Sequence, residues 1–314
     1  MMESEPIRFR PLYMERVWGG RSLENVYGRE LPEADVPIGE SWEMVDRPEA
    51  QSLVEGGEFH GKSLHELWTE HRESIFGGGE GERFPLLVKI LDAREKLSVQ
   101  VHPPEAAASS LGGEPKAEIW YIADAEPEAS LYVGLRRGVS KDAFVAGVHE
   151  GATAEQVHQI VARAGESIFI PSGRLHAIGA GMLIFEIQQN SDTTYRVFDW
   201  NRVGLDGTPR DLHIDESIAC IDFDDIEPEM DSPRGEVLAE CREFRVERWD
   251  LGTQPRAGAD GLFAVIAVID GKIRCGSDEF EAGDFFLIPA LHAGLELVAL
   301  GGTAAILRTT IPEI

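Results

Sequence analysis

Apolar and polar residues alternate in short runs along much of the chain, the pattern of strands with one buried face. In residues 97–102, alternation places Ser98, Gln100 and His102 on one face of a predicted strand. Leu97 and the two valines that follow fall on the other face. A second alternating run, residues 118–123, begins with a glutamate. The pattern therefore predicts paired strands, each with one polar and one core face.

Other segments extend this mainly β pattern. Residues 84–91 are almost continuously apolar, which predicts a strand buried on both faces and interrupted by Lys89. Helical spacing is confined to short segments. A capping box at Ser63 and an N-cap at Ser140 predict two helices, and a second capping box at Thr153 predicts a shorter one.

Residues 165–177 are echoed by residues 283–293, each with a Gly-acidic turn, an apolar strand, a proline and a histidine. This repeat is similar to the cupin pattern and predicts a mainly β fold of two tandem cupin-like jelly-roll modules with a few short helices. The segment 222–235, rich in Asp, Glu and Pro, is the best linker. We therefore expect a catalytic metal-binding domain at 1–227, with small helical insertions, and a degenerate cupin-like β domain at 228–314.

Four side chains near these strands are candidate metal ligands: Gln100, His102, Glu118 and His176. If the strands pair, the four supply only N and O ligands, which suit Zn²⁺ first, with Fe²⁺ and Mn²⁺ as alternatives because no thiolate selects among them. A single strand histidine is more often a hydrogen-bonded structural residue. His292, in the second copy of the repeat, has no upstream Gln-x-His or glutamate strand, so we expect it to be structural.

Charge and cysteine content narrow the class of protein. The chain has 314 residues, a net charge of -27 and 43% hydrophobic residues, enough for a packed core. Such a charge argues against nucleic-acid or anionic-membrane partners, because both attract positive surfaces. Three cysteines without paired spacing indicate neither a disulfide framework nor a thiolate metal site. With no signal-peptide pattern at residues 1–10 and no spanning run, we expect a soluble, cytoplasmic protein.

Ordered motifs along the chain resemble type I mannose-6-phosphate isomerase, the zinc-dependent phosphomannose isomerase of the cupin superfamily, in its short bacterial form. Besides the two ligand-bearing strands, they cover residues 17–20, 38–43, 87–93, 171–181 and 186–200. The resemblance implies one zinc ion per chain on Gln100, His102, Glu118 and His176, with Arg196 as the catalytic arginine. It implies interconversion of D-mannose 6-phosphate and D-fructose 6-phosphate through a cis-enediol. Arg174 departs from the family pattern, where a small polar residue is usual.

The chemistry gives these residues roles. A divalent ion and a guanidinium would both stabilise negative charge on the sugar oxygens, which fits zinc and Arg196. Lys116 falls on the same face as Glu118 and either acts as the base or binds substrate; we favour substrate binding. Ser98 is placed to hydrogen-bond substrate. Further phosphate candidates, each equally explained as a surface charge, are Lys96, Arg136 and Arg202.

Two other functions remain open at this point. A cupin-type Fe²⁺ oxygenase would share the four-ligand site but gives no reason for Lys116 and Arg196. A non-catalytic sugar-binding cupin is favoured only if the ligands bind no metal. The expected partner is a small phosphosugar, and the sequence does not determine the oligomeric state.

Overall fold

The computed structural model describes residues 5–259, 261–292 and 294–312. Strands hold 42% of the chain and helices 16%, which confirms the prediction of a mainly β protein with few short helices. No helix in these three ranges has both the length and the apolar character needed to cross a membrane.

The strands of the first half vary in length, from two residues in Asp46–Arg47 to nine in Leu12–Gly20. They are β1 (Ile7–Phe9), β2 (Leu12–Gly20), β3 (Ile38–Met44), β4 (Asp46–Arg47), β5 (Ala50–Gln51), β6 (Val54–Glu55), β7 (Leu86–Ala93), β8 (Val99–Val101), β9 (Glu118–Ala125) and β10 (Ser130–Leu135). Those of the second half are β11 (Val157–Val161), β12 (Ser167–Ile170), β13 (His176–Ile178), β14 (Met182–Gln189), β15 (Tyr195–Phe198), β16 (Val237–Glu240), β17 (Arg245–Leu251), β18 (Arg256–Ala257), β19 (Ala264–Cys275), β20 (Asp278–Glu281), β21 (Phe285–Ile288) and β22 (Glu296–Thr310).

The helices are all short. They are α1 (Ser22–Tyr27), α2 (Leu64–Glu70), α3 (Glu105–Ala108), α4 (Lys141–Glu150), α5 (Thr153–Gln156) and α6 (Ile214–Cys220), with a π-helical turn at Arg72–Phe76 and 3₁₀ turns at Ser109–Leu111 and Ala290–His292. The predicted caps at Ser63 and Ser140 are confirmed, since each hydroxyl accepts a backbone N–H of its helix. The capping box at Thr153 is wrong. Thr153 is buried as the first residue of α5, and Ala152 precedes it as the N-cap.

The chain folds as two compact units, each built from separate segments. One comprises Trp42–Val88 with the described parts of Met1–Leu12 and Ser232–Ile314; the other comprises Tyr13–Ser41 and Lys89–Asp231. The N-terminal strand β1 belongs with the C-terminal segment because it pairs with β21 and with β6. The predicted domain boundary after residue 227 stays a prediction. It would divide the chain into two continuous segments, whereas each of these compact units combines separate segments.

The first unit is built on a nine-stranded sheet with the path β16-β17-β22-β19-β21-β1-β6, to which β18 and β20 add at the side. The apolar runs at residues 295–300 and 304–309 predict two separate strands, but β22 runs through both. Gly301 and Gly302, at φ 82° and 132°, permit this by forming an irregularity inside the strand. The second half of the predicted repeat maps to β21 and the turn holding His292, and its last residue, Ala293, lies outside the described residues.

The second unit contains two sheets that enclose one core. The five-stranded sheet has the order β11-β10-β13-β8-β15, and the six-stranded sheet has the order β12-β9-β14-β7-β3-β2. Trp120 and Ile122 of β9 pack in one cluster with Leu131 and Val133 of β10, so the inner faces of both sheets form this core. A second cluster, which includes Phe144 of α4, covers the outer face of the five-stranded sheet.

All three cysteines are free thiols. Burial raises the pKa of Cys220 to about 11 and that of Cys275 to about 12. The thiol of Cys241, only partly buried, contacts the carbonyl oxygen of Phe244, and burial raises its pKa to about 11.

Candidate metal centre and adjoining cavity

The two sheets of the second unit bring the candidate ligands together. Gln100 of β8 pairs in register with His176 of β13, so both lie in the five-stranded sheet. Glu118 is the first residue of β9 in the six-stranded sheet. It lies on the same face as Trp120, which packs in the core between the sheets. The order of the strands in the two sheets therefore brings one carboxylate opposite two histidines. This order is not evident from the sequence.

The side chains of His102, Glu118 and His176 form a compact group. One ligand atom from each lies within 4.8 Å of the others. His102 Nε2 is 3.5 Å from Glu118 Oε2, and His176 Nε2 is 3.7 Å from Glu118 Oε1. The three residues are 0–1% exposed. Within the described residues this is the one group of histidines, cysteines and carboxylates close enough to hold a metal ion.

Backbone carbonyls orient both imidazoles. His102 Nδ1 donates to the carbonyl of Thr193 at 2.9 Å, and His176 Nδ1 donates to that of Arg174 at 2.8 Å. Each Nε2 therefore carries a lone pair directed towards the carboxylate, the arrangement found around metal-ligating histidines. His102 Nε2 and Glu118 Oε1 are buried and have no hydrogen-bond partner in the described part of the chain. An uncompensated pair of this kind is costly, and a cation between the atoms would satisfy both.

The protonation states also suit a cation. Burial, followed by the Lys116 ammonium, lowers the pKa of His102, and burial lowers that of His176 to about 3. Burial disfavours the Glu118 carboxylate, but Lys116 and His102 outweigh it and hold the pKa of Glu118 well below its usual range. At neutral pH the group thus offers two neutral imidazoles and one carboxylate, the forms that bind metal.

Gln100 lies at the edge of this group. Its amide Nε2 is 3.3 Å from His176 Nε2, while its Oε1 accepts a hydrogen bond from Ser98 Oγ at 3.1 Å. A half-turn of the amide would point Oε1 to the position now held by Nε2.

Leu97 does not share the outer face with Val99, contrary to the prediction, because β8 begins only at Val99 and Leu97 packs in the inner core.

A cavity of about 540 Å³ adjoins the group and is lined by Ser98, Gln100, Lys116 and Arg196 among others. Several charges on its wall are paired. Arg16 is bonded through two nitrogens to Glu40, and Lys89 Nζ lies 3.4 Å from Glu186 Oε1. Burial disfavours the Lys89 ammonium, but Glu186 outweighs it and raises the pKa of Lys89 above its usual range. Lys116 Nζ is 3.0 Å from Glu118 Oε2, although Lys116 precedes β9 rather than lying within it.

Arg196 differs from these cations. It pairs in register with Gln100, and its backbone N–H and C=O are both hydrogen-bonded to His213. Its guanidinium forms no hydrogen bond or ion pair with the described residues, and its buried Nε is unsatisfied. Burial, followed by the charge of Arg210, lowers its pKa, although a guanidinium remains a cation at neutral pH.

The other predicted positions lie elsewhere. None of Lys96, Arg136 and Arg202 lines the cavity. Arg174 is likewise absent from its wall, and its Nε and Nη2 are each 2.9 Å from the carboxylate of Asp225. His292 ends the 3₁₀ turn Ala290–His292 and belongs to no ligand group among the described residues.

Two charged residues of the wall, Lys89 and Glu186, were given no role from the sequence. Each is a buried charge between apolar residues of its strand, and this interruption of the apolar run is the sequence signal that could have identified the pair. Arg16 and Glu40 carry no comparable signal, because their contact depends on which strands are neighbours in the six-stranded sheet.

The facing sheets and the buried His-Glu-His group beside a polar cavity define a metal-binding protein of the double-sheet β class. A family model, Phosphomannose isomerase type I, catalytic domain, matches residues 7–133. The mannose-6-phosphate isomerase ManA of Bacillus subtilis is 38% identical over 302 residues, covering 92% of this chain and 94% of that protein. The mannose-6-phosphate isomerase of Streptococcus mutans is 34% identical over 91% of this chain and 93% of its own. The chain belongs to the type I phosphomannose isomerase family.

Solved structures agree with this assignment. The crystal structure of mannose 6-phosphate isomerase from Bacillus subtilis superposes with a TM-score of 0.87 at 33% identity, covering 98% of this chain and 99% of that one. A structure described as a putative mannosephosphate isomerase from Archaeoglobus fulgidus, at 21% identity, shares the fold with a TM-score of 0.78 over 99% of each chain. The predicted cupin-like, mainly β fold is confirmed.

Proposed function

We propose that this chain is a metal-dependent aldose-ketose isomerase that interconverts D-mannose 6-phosphate and D-fructose 6-phosphate. One observation carries the proposal: two imidazole lone pairs and a buried carboxylate converge beside a cavity on whose wall the guanidinium of Arg196 has no partner among the described residues. The identity of the substrate is inferred from relatives named mannose-6-phosphate isomerase, which match over nine-tenths of the chain.

The metal is proposed to be one Zn²⁺ per chain, held by His102, Glu118 and His176 with Gln100 as the fourth ligand. These side chains offer only nitrogen and oxygen donors, so Fe²⁺ and Mn²⁺ are the alternatives. A related structure of the same fold, at 17% identity, is described as bound with zinc and yttrium. That description supports a divalent ion in this fold.

The reaction moves a proton between C1 and C2 of the open-chain sugar through a cis-enediol, with negative charge developing on the sugar oxygens. A bound ion supplies Lewis-acid polarisation of the carbonyl. Arg196 stabilises the developing charge, because no carboxylate among the described residues occupies its donors. Lys116, whose Nζ lies 3.0 Å from Glu118 Oε2, lines the cavity and is assigned to substrate binding, and Ser98 is placed to hydrogen-bond substrate.

Two further functions explain only part of these observations. An Fe²⁺ oxygenase accounts for the ligands and leaves Arg196 without a task. A non-catalytic sugar-binding protein accounts for the cavity but not for the converging lone pairs. Metal analysis combined with an oxygen-uptake assay separates these functions.

The cytoplasmic location stays a prediction.

The proposal is tested by a coupled assay of mannose 6-phosphate isomerisation before and after chelation. We expect turnover to disappear with the metal and to return when Zn²⁺ is added, while circular dichroism shows that the protein stays folded. A metal-loaded protein that does not turn over mannose 6-phosphate, or a stripped protein that still does, would contradict the proposal.

A further inference from the structure

The loop at residues 112–117 leads directly into β9 and so determines where the ligand Glu118 stands. Its last two residues are Lys116, which lines the cavity, and Ala117. The residues of this loop all lie in the described part of the chain and belong to no helix or strand. The position of the loop therefore depends on the contacts that other segments make with it.

The end of β14 and the turn after it hold this loop through its backbone. Gln189 Oε1 accepts the N–H of Ala117 at 2.7 Å, and the N–H of Gln189 donates to the carbonyl of Ala117 at 3.1 Å. Thr193 Oγ1 accepts the N–H of Glu114 at 3.0 Å, and Ser191 Oγ donates to the carbonyl of Glu114 at 3.2 Å. Two residues of the loop are thus each held at both backbone groups.

The same turn carries the carbonyl that orients His102. That carbonyl belongs to Thr193 and accepts His102 Nδ1 at 2.9 Å. The turn is also bonded internally, since Ser191 Oγ accepts the N–H of Thr193 at 3.3 Å. The buried Gln188 donates through Nε2 to the carbonyls of Gln189 and Ser191 at 2.9 and 2.5 Å. These bonds fix the direction of the Thr193 carbonyl.

Close packing keeps the loop against this turn. A Cβ on Gly113 would lie 2.6 Å from Tyr195 Oη and 2.7 Å from Thr193 Cγ2, so the loop approaches as closely as a glycine permits. Tyr195 Oη donates to the carbonyl of Leu111 at 3.0 Å, just before the loop begins. The hydroxyl of Thr193 is therefore packed beside the loop that it holds.

Thr193 connects two metal ligands that belong to different sheets. His102 follows β8 of the five-stranded sheet, and Glu118 begins β9 of the six-stranded sheet. The carbonyl of Thr193 contacts the first ligand, and its hydroxyl holds the loop before the second. A metal site requires its ligands within about 0.5 Å of the productive geometry. Neither Ser191 nor Thr193 lines the cavity, so both act through the ligands and not on the substrate.

We propose that Thr193 is a positioning residue of the metal centre, whose carbonyl orients His102 while its hydroxyl fixes the loop leading to Glu118. Ser191 supports it by bonding to both the loop and the turn. The inference rests on the proposed function, because it takes a divalent ion to be bound by these ligands. It makes the affinity for metal depend on a hydroxyl that is not itself a ligand.

The test compares Thr193→Val, which removes the hydroxyl and keeps the branched shape, with Thr193→Ser, which keeps the hydroxyl. Competition with a chelating indicator measures the Kd for Zn²⁺. In Thr193→Val we expect this Kd to rise about tenfold, the low end of the loss found when a partner of a metal ligand is removed. Thr193→Ser should bind Zn²⁺ as wild type does. Ser191→Ala should shift the Kd in the same direction and by less, because its bonds are longer.

The visible absorption of the Co²⁺-substituted protein gives a second measurement, because it responds to the orientation of the ligands. The bands of Thr193→Val should differ from those of wild type, and the bands of Thr193→Ser should not. Ser52→Ala is the matched control. It removes a buried hydroxyl that accepts the N–H of Val45 at 2.9 Å in the other compact unit. It should lower the melting temperature and leave the Kd and the spectrum unchanged.

Three results would overturn the inference. They are a wild-type Kd and spectrum in Thr193→Val, or in Ser191→Ala if the valine variant does not fold; an equal loss of affinity in Thr193→Ser; and an equal loss in Ser52→Ala. Each leaves the proposed function standing as long as the wild-type protein binds Zn²⁺ and turns over mannose 6-phosphate. A folded wild-type protein that binds no divalent ion overturns the proposed function itself.

Discussion

At the scale of single residues, Arg196 is distinguished by what it does not contact. An ion pair with Asp192 or Asp199 is the structural alternative for an arginine at this place in the sequence. Asp199 is instead bonded to Arg202 and Arg210, and no ion pair of Arg196 occurs among the described residues. A guanidinium left unpaired on a cavity wall contributes little to folding, so its charge is available to a substrate.

Arg196→Ala should therefore lower kcat by about a hundredfold or more, roughly 3 kcal/mol of barrier, while the melting temperature and metal content stay near wild type. Steady-state kinetics, thermal unfolding and elemental analysis measure the three quantities. Arg196→Lys keeps the positive charge but loses the planar guanidinium, so its kcat should lie between those of wild type and Arg196→Ala. A folded, metal-loaded Ala variant with near-normal turnover would contradict the catalytic role.

The residue types at the centre were predictable, but the orientation of the side chains was not. Gln100, His102, Glu118 and His176 were found by alternation, by the internal repeat and by family resemblance. The carbonyls that fix the imidazole tautomers belong to Thr193 and Arg174, and a carbonyl group is the same in every residue. No sequence pattern could therefore have identified them.

At the scale of elements, the register between strands decides which side chains meet. Alternation predicted the inner face of β8 correctly but failed two residues before the strand begins, at Leu97. The sequence pattern also failed at β22, where a pair of glycines allowed one strand to continue across the gap between two predicted strands. Sequence-based reasoning located strands well, whereas sheet order, which depends on distant segments, had to come from the structure.

The close approach of β2 and β3 gives a test of this register. A Cβ on Gly19 would lie 2.4 Å from the backbone nitrogen of Gly39, so even a methyl group forces the strands apart. Gly19→Ala should lower the free energy of unfolding by about 1–3 kcal/mol. Gly252→Ala is the matched control, because nothing lies within 4 Å of the position that its methyl group would occupy, and it should stay within about 0.5 kcal/mol of wild type. Urea unfolding measures both, and equal effects would contradict the steric argument.

At the scale of the whole molecule, the internal repeat duplicates a strand and a histidine without duplicating the site. Phe285–Ile288 repeats the strand Ser167–Ile170, and His292 repeats His176 in sequence only. His176 begins a strand that pairs with β8, whereas His292 ends a 3₁₀ turn. Ligand convergence requires neighbouring strands as well as a matching motif. One module of the pair is accordingly expected to bind metal.

Purified protein should carry about one divalent ion per chain. His102→Ala should lose most of it, because an imidazole ligand and its orienting hydrogen bond to Thr193 are both removed. His292→Ala, the control from the second copy of the repeat, should lose none. Elemental analysis of dialysed protein gives the counts. Full retention of metal in His102→Ala would contradict the ligand assignment.

The three thiols have a consequence for how the protein responds to oxidants. Nucleophilic attack on peroxide or on a disulfide requires a thiolate, and the raised pKa values of Cys220, Cys241 and Cys275 keep all three protonated at neutral pH. None of the three lines the cavity. Changes in the surrounding redox potential should therefore leave catalysis untouched, and alkylating reagents should label the native chain slowly.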